Sequence, residues 1–132
     1  MNKHELEERL INFAVLIIEI VNELPQTKAA IHLSNQLIRS GTSPALNYGE
    51  AQSGESRKDF IHKIKIVLKE LRETFVCLKI IDKAKLYQAS DHTLMEKELK
   101  LKSKIERALK ESNELISIFV KSVETAQRNI ER

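Results

Sequence analysis

Asp59 and His62 stand three residues apart as D-x-x-H, a spacing that puts a carboxylate and an imidazole on one face of a helix. Di-metal carboxylate bundles use E-x-x-H instead, present twice and joined by two further glutamates on facing helices. Here the acid is Asp, the second motif is missing, and His62 falls on a line of lysines and arginines that would repel a cation. No metal and no cofactor are expected. Cys77 has no adjacent histidine and lies beside an apolar stripe, which suits a packed thiol better than a nucleophile. Glu70 and Glu73 could pair as carboxylates, yet nothing near them in sequence resembles a nucleophile. His4, His32 and His92 share no useful spacing, and three glycines are too few for a phosphate-cradling loop. The chain is expected not to be an enzyme, and no small-molecule substrate is evident.

The chemistry that does stand out is cationic. Lys58, His62, Lys65, Lys69, Arg72, Lys79 and Lys83 fall on one helical line with Val76 in its only gap, and no acid interrupts it. A shorter line follows in Lys97, Lys100, Lys104 and Arg107 at 3-4-3 spacing. Two such stripes are what RNA or DNA backbones would meet, through salt-dependent contacts that carry little sequence preference. The alternative is a solvated face whose cations pair with Glu70, Glu73 and Glu106 one turn away. No Phe, Tyr or Trp is interleaved with the cations, so bases have nothing to stack on. A third group, Arg39, Ser40, Ser43, Asn47 and Glu50, recurs at helical spacing. It reads either as an exposed face or as a polar network in which Glu70 or Glu73 answers Arg39.

Four helices must position these residues. The first is predicted over 4–24, with Leu6, Leu10, Phe13, Ile17, Ile20 and Leu24 on one face. Beside it runs a second apolar line, Ile11, Ala14, Ile18 and Val21, wider than one small bundle needs to cover a helix. That excess implies either a broad core contact or burial against another subunit, the latter making these four residues the candidate oligomer interface. Pro25 ends the helix and Thr27 caps the next, which runs to Gln52 through Gly41 and Pro44, with a kink there or a true break. Ser53 to Ser56 form a loop, and Ser56 caps a third helix over 57–85. Its core line is Phe60, Ile64, Val67, Leu71, Phe75 or Thr74, Leu78 and Ile81. After a turn over 87–90, Ser90 or Asp91 caps the longest helix, with Leu101, Ile105, Ala108, Ser112, Leu115, Phe119, Val123, Ala126 and Ile130 in near-heptad register. No alternating strand pattern is present. The fold class is all-α, an antiparallel up-down-up-down four-helix bundle.

Composition agrees. A chain of 132 residues forms one domain, 1–132, and hides enough surface to fold without disulfides or metal. Its 31% charged and 42% hydrophobic residues are far from a disordered composition, and one cysteine permits no internal disulfide. No secretory signal or membrane-length apolar run is present, so a cytoplasmic location with no membrane partner is expected. The formal net charge of +3 is unevenly spread. Residues 1–54 hold 4 basic against 6 acidic side chains, and the remainder 18 against 13, so the positive charge belongs to the last two helices.

The run Gln36-Leu37-Ile38-Arg39-Ser40-Gly41-Thr42-Ser43-Pro44-Ala45-Leu46-Asn47-Tyr48-Gly49-Glu50-Ala51, with Asp59-Phe60-Ile61-His62-Lys63 and Lys69-Glu70-Leu71-Arg72-Glu73-Thr74, carries a family likeness. It resembles the four-helix-bundle proteins encoded in intervening sequences of bacterial 23S ribosomal RNA genes. Members show a basic residue and serine, a small-residue stretch with Pro, then Asn, a short gap and Glu. Tyr48-Gly49 departs from the small or aliphatic residues many of them carry. The resemblance implies a ring-like homo-oligomer, a pentamer, and kinship with basic accessory proteins of diversity-generating retroelements that act with nucleic acid. It implies no catalytic residue. Together these readings favour a homo-oligomeric bundle that binds RNA or DNA backbones, with a protein-interaction scaffold as the alternative.

Overall fold

The structure, a computed structural model, describes residues 1–53, 56–88 and 95–131, the last without its side chain. Helix α1 spans Lys3–Glu23, α2 Lys28–Gln52, α3 Arg57–Lys83 and α4 Met95–Glu131. Among the described residues there is no strand. Each helix packs on its sequence neighbour, and α4 closes back onto α1, the contacts of a bundle.

Local chemistry sets the helix ends. Asn2 Oδ1 accepts the Glu5 N–H at 2.8 Å, Thr27 Oγ1 that of Ala30 at 3.2 Å and Ser56 Oγ that of Asp59 at 3.1 Å. Each satisfies an amide the first helical turn leaves unpaired. Leu24, preceding Pro25, is extended (ψ 140°), as the proline ring requires. α2 is continuous through Gly41 and Pro44, so the alternative of a true break does not hold. α3 stops at Lys83, two residues before the expected end, in a turn where Lys85 takes a positive φ of 52°. The expected cap at Ser90 or Asp91 and the loop residues Gly54 and Glu55 lie outside the described residues.

The core follows the apolar lines. Leu10, Phe13, Ile17 and Ile20 of α1 meet Ala30, Leu37 and Tyr48 of α2, Ile64, Leu71, Leu78 and Ile81 of α3, and Ile105, Leu115 and Phe119 of α4. Tyr48 and Phe119 pack edge to face, ring centroids 5.6 Å apart. One alternative within the expected core is decided, and one expected core position lies outside it. Thr74, not Phe75, is buried, because its hydroxyl finds partners there, while Phe75 is half-buried. Ile130 is exposed near the end of α4.

The second apolar line of α1 is not absorbed by this core. Ile11 and Ile18 are each 39% exposed, Ala14 and Val21 half-buried. α1 and α2 approach closely at Ile17 and Gly41. Helical periodicity places Ile18 and Ile38 on the outer rim of that seam, with Val15 and Leu46 also exposed.

Candidate nucleic-acid interface

α3 turns its core line inward, so the line on its far side faces water. Lys58, His62, Lys65, Lys69, Arg72, Val76, Lys79 and Lys83 are all exposed. From Lys58 to Lys83, 25 rises of 1.5 Å, the ridge runs about 37 Å along one continuous helix. Lys79 Nζ also sits 5.3 Å from the centroid of the Phe75 ring, which steadies that cation.

Two acids of α3, Glu70 and Glu73, are engaged by a cation of α2. Arg39 of α2 reaches across to α3, donating from Nη1 to Glu70 at 3.0 Å and from Nη2 to Glu73 at 2.6 Å. Its bonds hold the Glu73 carboxyl below the usual carboxylate range, whereas burial lifts that of Glu70, with Arg39 only partly opposing the rise. Among the described residues no ion pair involves Lys58, Lys65, Lys69, Arg72, Lys79 or Lys83. Glu70 and Glu73, which the solvated-face alternative pairs with the ridge, bond to Arg39, and the charge of Lys69 also acts on Glu73.

The polar group on α2 divides. Beneath Arg39, Ser40 and Thr74 are fully buried, with hydroxyls 2.9 Å apart. Thr74 Oγ1 is also 2.8 Å from the Glu70 carbonyl, so its one proton serves the carbonyl while Ser40 donates the bond between the hydroxyls. Glu50 pairs with Lys63 of α3. Asn47 turns back on its own helix, donating to the Ser43 carbonyl and hydroxyl at 3.0 and 2.8 Å. Arg39, Glu50, Glu70 and Glu73 thus tie α2 to α3, and Asn47 does not.

The structure does not bring the second basic line to the first. Lys97, Lys100, Lys104 and Arg107 line a groove of about 840 Å³ between α4 and the end of α1, beside Asn22, Glu23 and Pro25. Lys104 donates to Glu23 there at 2.7 Å, and Lys100 lies 3.7 Å from Glu96. None of the α3 ridge lines that groove. The same seam holds a clamp that sequence reading missed. Arg9 of α1 meets Glu111 through two bonds of 2.7 and 2.8 Å, and Glu114 at 2.6 Å. These partners lie over a hundred positions from Arg9, too distant for any local spacing to reveal.

Remaining chemistry is sparse. Asp59 and His62 are both exposed, and among the described residues no three His, Cys, Asp or Glu side chains converge as metal ligands. Cys77 is buried beside the Leu33 carbonyl at 3.6 Å, and burial pushes its thiol up to about 11. No described helix is long and apolar enough to cross a membrane.

A family model, 23S rRNA-intervening sequence protein, matches residues 2–108. A crystal structure of a protein of unknown function from the S23 ribosomal protein family of Bacteroides thetaiotaomicron is similar, at 28% identity and a TM-score of 0.61. The alignment covers 89% of this chain and 99% of that one. No curated protein matches the sequence.

Proposed function

The chain belongs to the 23S rRNA-intervening sequence protein family, and from that premise we propose a non-enzymatic, cytoplasmic, self-associating bundle that binds RNA or DNA backbones through α3. One observation carries the proposal: the α3 ridge is exposed and, among the described residues, free of ion pairs, while Glu70 and Glu73 bond to Arg39 of α2. A row of unneutralised cations condenses onto phosphates by releasing their counterions. The α4 line contributes less, since Lys104 is already paired with Glu23.

Pairings between helices support the up-down-up-down order. Arg9 meets Glu111 while Glu23 meets Lys104, and Arg39 meets Glu70 while Glu50 meets Lys63, so positions rise on one helix as they fall on its neighbour. A bend at Gly41–Pro44 belongs to the same reading, because Pro44 cannot donate to the Ser40 carbonyl. Copies associate through the exposed rim of the α1–α2 seam, and the resemblance gives five as the number. A ring multiplies weak phosphate contacts by raising their effective concentration.

The test is a salt titration of binding to a generic RNA, from about 50 to 200 mM. Neutralising Lys65, Lys69 and Arg72 together should flatten the log–log salt slope by roughly 2–3. No binding at low salt, or a slope unmoved by the triple change, rejects the phosphate-binding reading in favour of an interaction scaffold.

A further inference from the structure

Resting on that phosphate-binding reading, we infer that the α3 ridge takes double-stranded DNA, lying across the major groove with Val76 over the opening and cations on both flanking strands. Proteins that hold single strands without sequence preference stack bases on aromatic faces, at about 1–3 kcal/mol per base. This surface offers none. Phe13, Tyr48, Tyr87 and Phe119 are buried, Phe60 and Phe75 are half-buried with Lys79 over the Phe75 ring, and the chain has no Trp. His62 is the one exposed ring on the ridge, a lone imidazole among lysines. Affinity must then come from charge, and the duplex presents about one charge per 1.7 Å with its backbone already ordered. A single strand would have to be straightened against the ridge, at a cost in entropy that nothing on this surface offsets.

The break in the ridge narrows the choice further. Lys58, Lys65, Lys69 and Arg72 lie within about 21 Å along the axis, and the next cation, Lys79, comes about 10.5 Å after Arg72. Between them Val76 is 55% exposed. The B-form major groove is about 12 Å wide, close to that gap. A helix crossing it sets Arg72 against one strand and Lys79 and Lys83 against the other, and places an uncharged side chain where no phosphate lies. The major groove of an RNA duplex is deep and narrow, and does not hold its two strands at that separation.

The experiment uses the full chain and fluorescence anisotropy with a DNA duplex of about two helical turns, the same sequence as an RNA duplex, and its separated DNA strands. Duplex DNA should bind at least roughly tenfold tighter than the other two. Val76→Lys, at an exposed helical position, should fold normally by circular dichroism and leave the duplex-DNA salt slope unchanged. Arg72→Gln should lower that slope by about 0.9, the value for one phosphate contact. Single strands or duplex RNA bound as tightly as duplex DNA would overturn the inference while leaving the phosphate-binding reading in place. A slope that steepens by about 0.9 in Val76→Lys would do the same, because a phosphate would then lie opposite that position. Failure to bind any of the three would reject the phosphate-binding reading itself.

Discussion

Gly41 faces Ile17 so closely that a Cβ at position 41 would lie 2.8 Å from both Ile17 Cγ1 and Cγ2. Ile17 is fully buried and has nowhere to retreat. Gly49, two turns further along the same helix, has nothing within 4 Å of its own Cβ position. Alanine should therefore have opposite effects at the two glycines. Gly41→Ala should lower stability by about 1–3 kcal/mol through overpacking. Gly49→Ala should raise it by about 0.5–1 kcal/mol through helix propensity. Urea denaturation of the two variants measures both signs, and a stabilised Gly41→Ala would mean that α1 and α2 pack less tightly there.

Leu16 and Ile18 are two residues apart on α1 but face different surroundings. Leu16 is buried in the core and Ile18 lies on the exposed rim of the α1–α2 seam. Leu16→Glu should abolish cooperative folding, because a carboxylate would be forced into an apolar interior. Ile18→Glu should keep the helical spectrum and reduce the mass seen by light scattering to that of one chain. An assembly unaffected by Ile18→Glu would place the subunit contact elsewhere.

Ser40 and Thr74 form the buried polar contact between α2 and α3, and neither hydroxyl reaches water. Thr74→Val keeps the shape and strands the Ser40 hydroxyl, which should cost about 1–3 kcal/mol. Adding Ser40→Ala removes the stranded group and should recover a large share of that loss. A double-mutant cycle measures the coupling, and purely additive losses would show that the two hydroxyls do not depend on each other.

Much of this architecture is legible in residue spacing, and the rest fails for a definable reason. Caps at Thr27 and Ser56 announce themselves because an N-cap acts on amides two or three residues away. The α4 core line from Leu101 to Val123 is equally local, since periodicity alone selects a face. The bond from Arg39 to Glu70 and Glu73 could be named from charge and spacing, although an exposed face fitted the same pattern. What spacing does not hold is the rotation of one helix relative to another. The α3 and α4 basic lines look like one surface when written in a row, yet α4 turns its line toward α1. The clamp of Arg9 on Glu111 and Glu114 depends on the same unrecorded phase.

Cys77 should be chemically quiet. Its thiol is 6% exposed and lifted to about 11 by burial, with the Glu73 charge adding to the rise. At pH 8 the thiolate fraction should be roughly a hundredfold below that of a free cysteine. Iodoacetamide labelling should accordingly be slow in the folded chain and fast in urea. Rapid labelling of the native protein would mean that the α2–α3 seam opens readily.

Glu70 and Glu73 share Arg39 but should titrate with opposite consequences for stability. Glu73, held below its unfolded value by the Arg39 bond, contributes stability that is present above the ordinary carboxylate range and lost as pH falls through its folded value. Glu70, raised first by burial and then by its contact with Glu73, contributes stability that is full below its unfolded value and lost as pH rises through its folded one. Glutamine fixes either side chain in an uncharged form. As pH rises from about 3 to the ordinary carboxylate value, Glu73→Gln should therefore become more destabilising relative to wild type and then level off, because wild type gains from this ionisation only below the unfolded value. Glu70→Gln should move the other way and become relatively more favourable toward neutrality. Urea midpoints between about pH 3 and 7 give both slopes. Slopes of the same sign would show that Arg39 serves the two carboxylates equally and that burial of Glu70 does not decide its ionisation.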